Sequence, residues 1–349
     1  MNYFTDRILD RWREMVQDNR NVHVFVDEQK LGTVASDWAK LSLEKDAPPP
    51  NWRTKGVEPE NNIAFVSQLL YKSAIDFAFT LFDPPHDQYK VEEFSGSSAM
   101  GRCFYRYFGE NPVPAETFLQ MRNDWCEGDH RAATEFFQGD NLPSLLGERV
   151  LHLAEVAEVM ERDFRDDIMR FVRFPFSDLC AVSSYETLQI GLVEVLLKIF
   201  PTAFGQDHHN HQLYFAKRPQ LFVLMYHGRA LDSGGELPLL RDPEHIGPVV
   251  DYQVPNCLRS LNVLCYSETL GKTINDCKMI ARQSPEELEI RIATTYAVAE
   301  LLERINKIRR AVVADCRPWT MLELDFKLWS EGREASKEIP HHLCITTDY

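Results

Sequence analysis

A predominantly α-helical fold with a few short strands is the architecture this sequence predicts. Three observations carry it: long stretches with apolar residues three and four apart, clear helix start signals, and alternation confined to one brief segment. The 349-residue chain is 44% hydrophobic and 26% charged, a globular balance with room for a substantial core.

The opening residues read as a helix, followed by a strand at residues 22–26, where alternation suits a pleated surface. Leu31, Val34, Trp38 and Leu41 then keep helical spacing, until the Ala-Pro-Pro-Pro stretch at 47–50 interrupts them as a linker. From residue 61, Ile63, Val66, Leu70, Ala74, Phe77 and Leu81 share one face, predicting a helix that runs to Pro84 and Pro85. A second long helix places Val150, Leu153, Ala157, Met160, Phe164, Ile168 and Phe171 on one stripe. A third carries Leu188, Leu192, Leu196 and Ile199, with Ser183 and Glu186 as a capping box and Pro201 as terminator.

The best-marked helix begins at Ser284. Ser284 is a good N-cap, Pro285 suits the first turn, and Glu287 completes the box. Leu301, Ile305, Ile308 and Val312 give it a core face. Glu300–Arg304 and Glu303–Lys307 add solvent-side pairs of about 0.2–0.5 kcal/mol each. Residues 1–50 are expected to pack as a helix–strand–helix segment on a single body formed by 51–349. Residues 206–211 and 234–255 read as irregular, which is where sites on helical frames usually sit.

No apolar run approaches the roughly 20 residues that cross a bilayer, and the N-terminus lacks a signal peptide's pattern. A soluble, cytoplasmic protein is the expectation. The eight cysteines contain no C-x-x-C, so reduced packing thiols are expected rather than a zinc ribbon. A net charge of −15 suits a small substrate rather than intact nucleic acid, whose phosphates need an electropositive track. A monomer without cofactor or metal, binding neither nucleic acid nor membrane, is expected.

Several residues are candidates for chemistry. Asp251 lies between Pro248 and Pro255 in a stretch read as extended, with apolar and aromatic neighbours. It is either a carboxylate with a tuned pKa or the cap of a short helix near residues 256–261. Lys217 and Arg218 follow an aromatic run; they either hold a phosphate or are exposed surface cations. His208, His209 and His211 sit in a polar loop, a poor arrangement for converging on one metal. Asp76 interrupts an apolar helical segment beside Phe77 and Phe79, rings suited to a base or to the core. Asp325, near Trp329, poses the same choice. Glu289 and Arg291 are too close in sequence to face each other on a helix, so each seeks partners elsewhere.

Taken in order, these segments resemble the queuosine salvage family, the queuosine 5′-phosphate N-glycosylases/hydrolases. The similarity runs along the whole chain and is strongest from residue 200 to 349. It rests on Phe-Ala-Lys-Arg-Pro-Gln at 215–220, Asp-Tyr-Gln-Val-Pro-Asn at 251–256, residues 258–267 and 287–291, residues 325–329, and Tyr349. The resemblance implies a helical fold similar to DNA glycosylases, a nucleotide substrate and free queuine as product. The family's Asp-Tyr pair falls on Asp251 and Tyr252, and its Lys-Arg pair on Lys217 and Arg218. The chain departs from the family pattern at Gln253, Asn256, Met225 and His227, and between Asp76 and Thr80.

A 7-deazapurine lacks the nitrogen at which purine glycosidases commonly protonate the leaving base, so hydrogen bonds to the base edge must assist. The resemblance therefore implies that Asp251 stabilises a cation-like ribose and orients water, while Tyr252 shapes the pocket. On the same resemblance Lys217 is expected to anchor the phosphate, and Arg218, Asp76, Phe77 and Asp325 to complete substrate binding. A non-catalytic nucleotide-binding homologue, or a glycosidase for another modified nucleoside 5′-phosphate, remain the alternatives.

Overall fold

A computed structural model of the chain describes residues 2–43, 53–174, 179–183, 190–210, 212–312 and 317–349. The linker predicted at residues 47–50 lies outside the described residues, as do Glu186 and Leu188 of the third predicted helix, and His211.

The chain opens with α1 (Tyr3–Gln17), β1 (Val24–Val26), α2 (Glu28–Trp38) and α3 (Asn62–Ala74). Then come β2 (Lys90–Val91), β3 (Phe94–Ser95), α4 (Ser97–Phe108), α5 (Ala115–Cys126) and α6 (Arg131–Phe136). The middle holds α7 (Leu146–Phe164), α8 (Ile168–Val172), α9 (Leu192–Ile199), β4 (His208–His209), β5 (Leu213–Tyr214) and α10 (Lys217–Leu231). Last are α11 (Gln253–Ser260), β6 (Leu264–Tyr266), α12 (Glu268–Asn275), β7 (Met279–Ile280), α13 (Pro285–Val312), α14 (Met321–Ala335) and β8 (Leu343–Cys344). The strands form four two-stranded pairs among the described residues, so the fold is predominantly α-helical, as the periodicity predicts.

The chain gathers into two compact units. One comprises Met1–Pro50, His208–Lys217 and Glu244–Ile345; the other comprises Asn51–Asp207, Arg218–Pro243 and Thr346–Tyr349.

The first unit is organised on α13, which packs against α1, α2, β1 and α11. Its start follows the sequence: the Ser284 hydroxyl accepts from the Glu287 amide at 3.2 Å, and the Glu287 carboxylate accepts from Gln283 N at 3.1 Å. Ile290, Ala293, Ala297, Leu301 and Ile305 form the buried face. Ile308 is only half-buried. Glu300 pairs with Arg304 at 2.8 Å, one of the two solvent-side pairs expected. Buried Glu289 accepts from the amides of Val22, His23 and Val24 at 3.2, 2.7 and 2.9 Å, anchoring the entry to β1. β1 pairs antiparallel with β6.

Helices α11 and α14 pack closely because residue 332 is glycine. A Cβ there would lie 2.2 Å from the Gln253 carbonyl oxygen, inside contact distance of rigid backbone. Gly332→Ala is therefore expected to push α14 off α11 and to cost about 1–3 kcal/mol of stability in chemical denaturation. An unchanged midpoint would show that the backbones separate freely.

The second unit packs α5 on α7 and sets α3 beside α7, α4 and α8. Phe104, Phe118 and Phe136 meet in its core at centroid distances of 5.2–5.8 Å. Here two expectations need correction. The helix predicted to run from residue 61 to Pro84 ends at Ala74. The Ile75 and Asp76 amides close on the Lys72 and Ser73 carbonyls at 3.1 and 3.4 Å, and side chains take the carbonyls that follow. Arg149, fully buried on α7, donates to the carbonyls of Ile75, Phe77 and Ala78 at 2.6, 2.5 and 3.2 Å. Arg218 donates to the Ala74 carbonyl. Residues 75–79 can thus leave the helix with their polar backbone satisfied. Ala78 adopts φ +46° and donates its amide to the Tyr349 carbonyl at 3.1 Å.

The second correction concerns the stripe from Val150 to Phe171, which is divided between α7 and α8. Arg165 and Asp166 both adopt positive φ, and the Asp166 amide returns to the Met160 carbonyl at 2.9 Å, closing the helix. The Asp166 carboxylate then accepts from Ala115 N at 2.8 Å. Periodicity continues across the break because both helices bury the same kind of face.

Candidate active site

The stretch bracketed by Pro248 and Pro255 is not extended throughout, because α11 begins at Gln253. Pro255 falls in the first turn, where a missing amide hydrogen breaks no intrahelical bond. Asp251 closes that helix start. Its Oδ1 accepts from the amides of Gln253 at 2.8 Å and Val254 at 3.1 Å. The capping reading of Asp251 is therefore correct. It does not exhaust the residue, because a carboxylate tied by one oxygen is held in one orientation while its charge still acts on its surroundings.

That charge reaches a second carboxyl. Asp325, buried on α14, has its pKa raised well above the ordinary carboxylate range. Burial is the main cause and the charge of Asp251 the second; the charge of Lys217 and a hydrogen bond from the Val249 backbone oppose them. Lys217 is itself buried. The first unit therefore brings Asp251, Tyr252, Lys217 and Asp325 to one place, although they come from three distant segments of the chain. Two carboxyls in unlike environments are a common basis for dividing proton-holding from charge-bearing roles.

Asp325 also has a consequence for stability. A carboxyl whose folded pKa is raised keeps its proton in the native state while the unfolded chain loses it above about pH 4. Stability from this group is full below that point and falls as pH rises towards the native pKa. Asp325→Asn removes the titration and keeps an oxygen for the Val249 amide. It is expected to gain stability over the parent progressively from about pH 4 upward. A pH-independent difference in denaturation midpoints would refute the raised pKa.

Tyr252 is buried, and its ring stacks on His341 at a centroid distance of 4.3 Å and 29° between planes. Nothing in the sequence pairs these residues, because a two-histidine step after Pro340 carries no periodic or motif signal. In the same unit, Arg291 lies 4.0 Å over the Phe215 ring and 3.9 Å from the Glu287 carboxylate. His342 is buried, and burial, then the charges of His341 and Arg291, lower its pKa to about 3. It is neutral at physiological pH.

Gln253 and Asn256, two of the departures from the family pattern, share one partner. The Ser336 hydroxyl donates to Gln253 Oε1 at 2.7 Å and accepts from Asn256 Nδ2 at 3.0 Å. Both residues tie α11 to the end of α14.

The remaining predicted site residues belong to the second unit. Arg218 is fully buried on α10, and its guanidinium lies 5.4 Å from the Phe77 ring centroid and 3.2 Å from His152 Nδ1. It is not an exposed cation. Consecutive helical residues point about 100° apart, so Lys217 and Arg218 need not serve one ligand. Phe77 is fully buried, edge-on to His152 at 5.5 Å and beneath Arg149 at 4.4 Å. Burial, followed by the charge of Arg218, lowers the His152 pKa to about 3. Asp76 is half-buried in the same segment. Arg149 and His152 fix this segment, yet on α7 they read as ordinary members of an amphipathic helix.

His208 and His209 form β4, paired with Leu213 and Tyr214. Among the described residues no group of three His, Cys, Asp or Glu side chains is placed to hold a metal ion. No helix among them is long and apolar enough to cross a membrane.

Comparison with known proteins bears on this arrangement. The sequence pattern of a family described as queuosine salvage protein matches residues 61–349. The queuosine 5′-phosphate N-glycosylase/hydrolase of Sphaerobacter thermophilus is 26% identical over 329 residues, 93% of each chain. The protein of the same description from Dictyostelium discoideum is 29% identical over 218 residues, 60% of each chain. That of Schizosaccharomyces pombe is 30% identical over 144 residues, 41% of this chain and 38% of its own. The pattern match covers Asp76, Lys217, Asp251, Asp325 and their surroundings, and on that ground this chain belongs to the queuosine salvage protein family.

Proposed function

We propose that this chain hydrolyses the N-glycosidic bond of queuosine 5′-phosphate and releases queuine, as a cytoplasmic monomer acting on the free nucleotide. The observation that carries the reading is the gathering of Asp251, Asp325 and Lys217, with Asp325 driven towards its neutral form. The descriptions of the relatives supply the substrate.

In this reading the bond between the anomeric carbon and the base nitrogen breaks with its electron pair leaving on the base. The ribose becomes cation-like, and the charge of Asp251 stabilises it. A water oxygen bonds to the anomeric carbon and sheds a proton to Asp251; that proton then passes to the base nitrogen, which restores the carboxylate and leaves the base neutral. The helix-start hydrogen bonds on Oδ1 hold the carboxylate still while this happens. Asp325, kept neutral, presents a hydrogen-bond donor rather than a second repelling charge. Lys217 takes the 5′-phosphate as a point charge, and Tyr252 shapes the cavity. Asp76, Phe77 and Arg218, in the second unit, are proposed substrate-binding residues on the family resemblance alone.

Incubating the chain with queuosine 5′-phosphate and separating the products by chromatography tests the reading. Free queuine and ribose 5-phosphate in equal amounts are expected. Calorimetric binding of the nucleotide with no free base would identify a non-catalytic homologue instead, and release from other nucleoside monophosphates alone would change the substrate.

A further inference from the structure

We propose that Ser336 is a positioning residue that locks α14 against α11 and so sets how closely Asp325 stands to Asp251. This rests on the reading of those two acids as the working pair of the site.

The lock is built from both helices. Gly332 lets the α14 backbone come up to the Gln253 carbonyl, where a Cβ would lie 2.2 Å from the oxygen. One turn further on, the Ser336 hydroxyl donates to Gln253 Oε1 at 2.7 Å and accepts from Asn256 Nδ2 at 3.0 Å. A hydroxyl has one hydrogen to give and lone pairs to receive, so it serves both side-chain amides at once. Gln253 and Asn256 are buried and lie about one turn apart on α11. Sliding α14 along α11 would stretch both bonds together.

The two sides of this lock lead to the two acids. Gln253 carries the amide that donates to Asp251 Oδ1 at 2.8 Å. On α14, positions 325, 332 and 336 are separated by about two turns and about one turn, so they fall on one stripe. Asp325 therefore moves with Ser336, and Asp251 with Gln253. Burial is the largest influence on Asp325 and the charge of Asp251 the second; Lys217, at the head of α10, and the Val249 backbone oppose them. Without the hydroxyl, α14 eases away from α11, water gains access to Asp325, and the Asp251 charge acts from farther off. The two largest influences weaken together, so the Asp325 carboxyl gives up its proton at lower pH.

Three proteins test this: the parent chain, Ser336→Ala and Ser336→Thr. The Asp325 carboxyl carbon is followed by NMR against pH, its signal assigned by its loss in Asp325→Asn, and kcat on queuosine 5′-phosphate is measured over the same range. In Ser336→Ala the Asp325 titration is expected to move about one pH unit lower than in the parent. The basic limb of kcat, where Asp325 ionises, is expected to move down with it. Ser336→Thr keeps the hydroxyl and is expected to titrate as the parent does. A plain loss of packing would lower stability and leave both titrations in place. An Asp325 titration unmoved in Ser336→Ala, or moved equally in Ser336→Thr, overturns the proposal. Should the parent release no base, the hydrolase reading fails by itself, and the NMR titration still decides the role of Ser336.

Discussion

Asp251→Asn is expected to lower turnover on queuosine 5′-phosphate by about 10³-fold while leaving the fold and nucleotide binding close to the parent. The substitution is informative because it separates the cap that Asp251 makes from the charge that the proposed mechanism needs. Its Oδ1 closes the start of α11 through the Gln253 and Val254 amides, and an amide oxygen does this as well as a carboxylate oxygen. Only the negative charge is lost, and with it the stabilisation of a cation-like ribose and the acceptor for the water's proton. Steady-state kinetics should show the loss in kcat with KM little changed. The thermal midpoint should move by no more than a few degrees, since the cap survives. Undiminished release of queuine would remove Asp251 from the chemistry and leave it a helix cap. Asp251→Ala loses cap and charge together, so its stability loss beside the Asn variant measures the cap separately.

Arg149→Met is expected to destabilise the second unit by about 4 kcal/mol, a loss read from chemical denaturation. A single guanidinium serves the carbonyls of Ser144, Ile75, Phe77 and Ala78, all in a buried setting. Methionine fills a similar volume but donates nothing, so the carbonyls that follow α3 lose this donor away from water. The ring of Phe77 also loses the cation 4.4 Å above it. Residues 75–79 are then expected to exchange their amide hydrogens faster than α5, which shares the unit but not the arginine. A loss below about 1 kcal/mol would mean that water or the backbone replaces the arginine easily.

The sequence reading located α13 to within a residue because every local cue there agrees: Ser284 caps, Pro285 opens, Glu287 completes the turn, and the apolar positions keep one face. It overran α3 because Phe77 and Leu81 continue the periodicity past Ala74. The residues that stop the helix lie on α7 and α10, far along the chain. Asp251 was legible as a cap or as a functional acid; the structure contains the cap, and the functional role rests on the proposal above. Arg218 was read as a surface cation or phosphate ligand. Its burial under the Ala74 carbonyl depends on long-range packing that adjacency to Lys217 does not reveal. The link from His341 to Tyr252 joins residues with no periodic relation, and no local rule supplies it.

By itself, the amino-acid order determined the helical class, the strongest helix and the ordered motifs that assign the chain to its family. These depend on short-range backbone preferences and on residue identity, which a linear chain carries in full. Only the tertiary structure decided that the pKa of Asp325 is raised, where α3 ends and which aromatic face backs Tyr252. Each of those follows from burial and from charges and donors brought close by distant segments, and desolvation exists only once the chain has closed around the group.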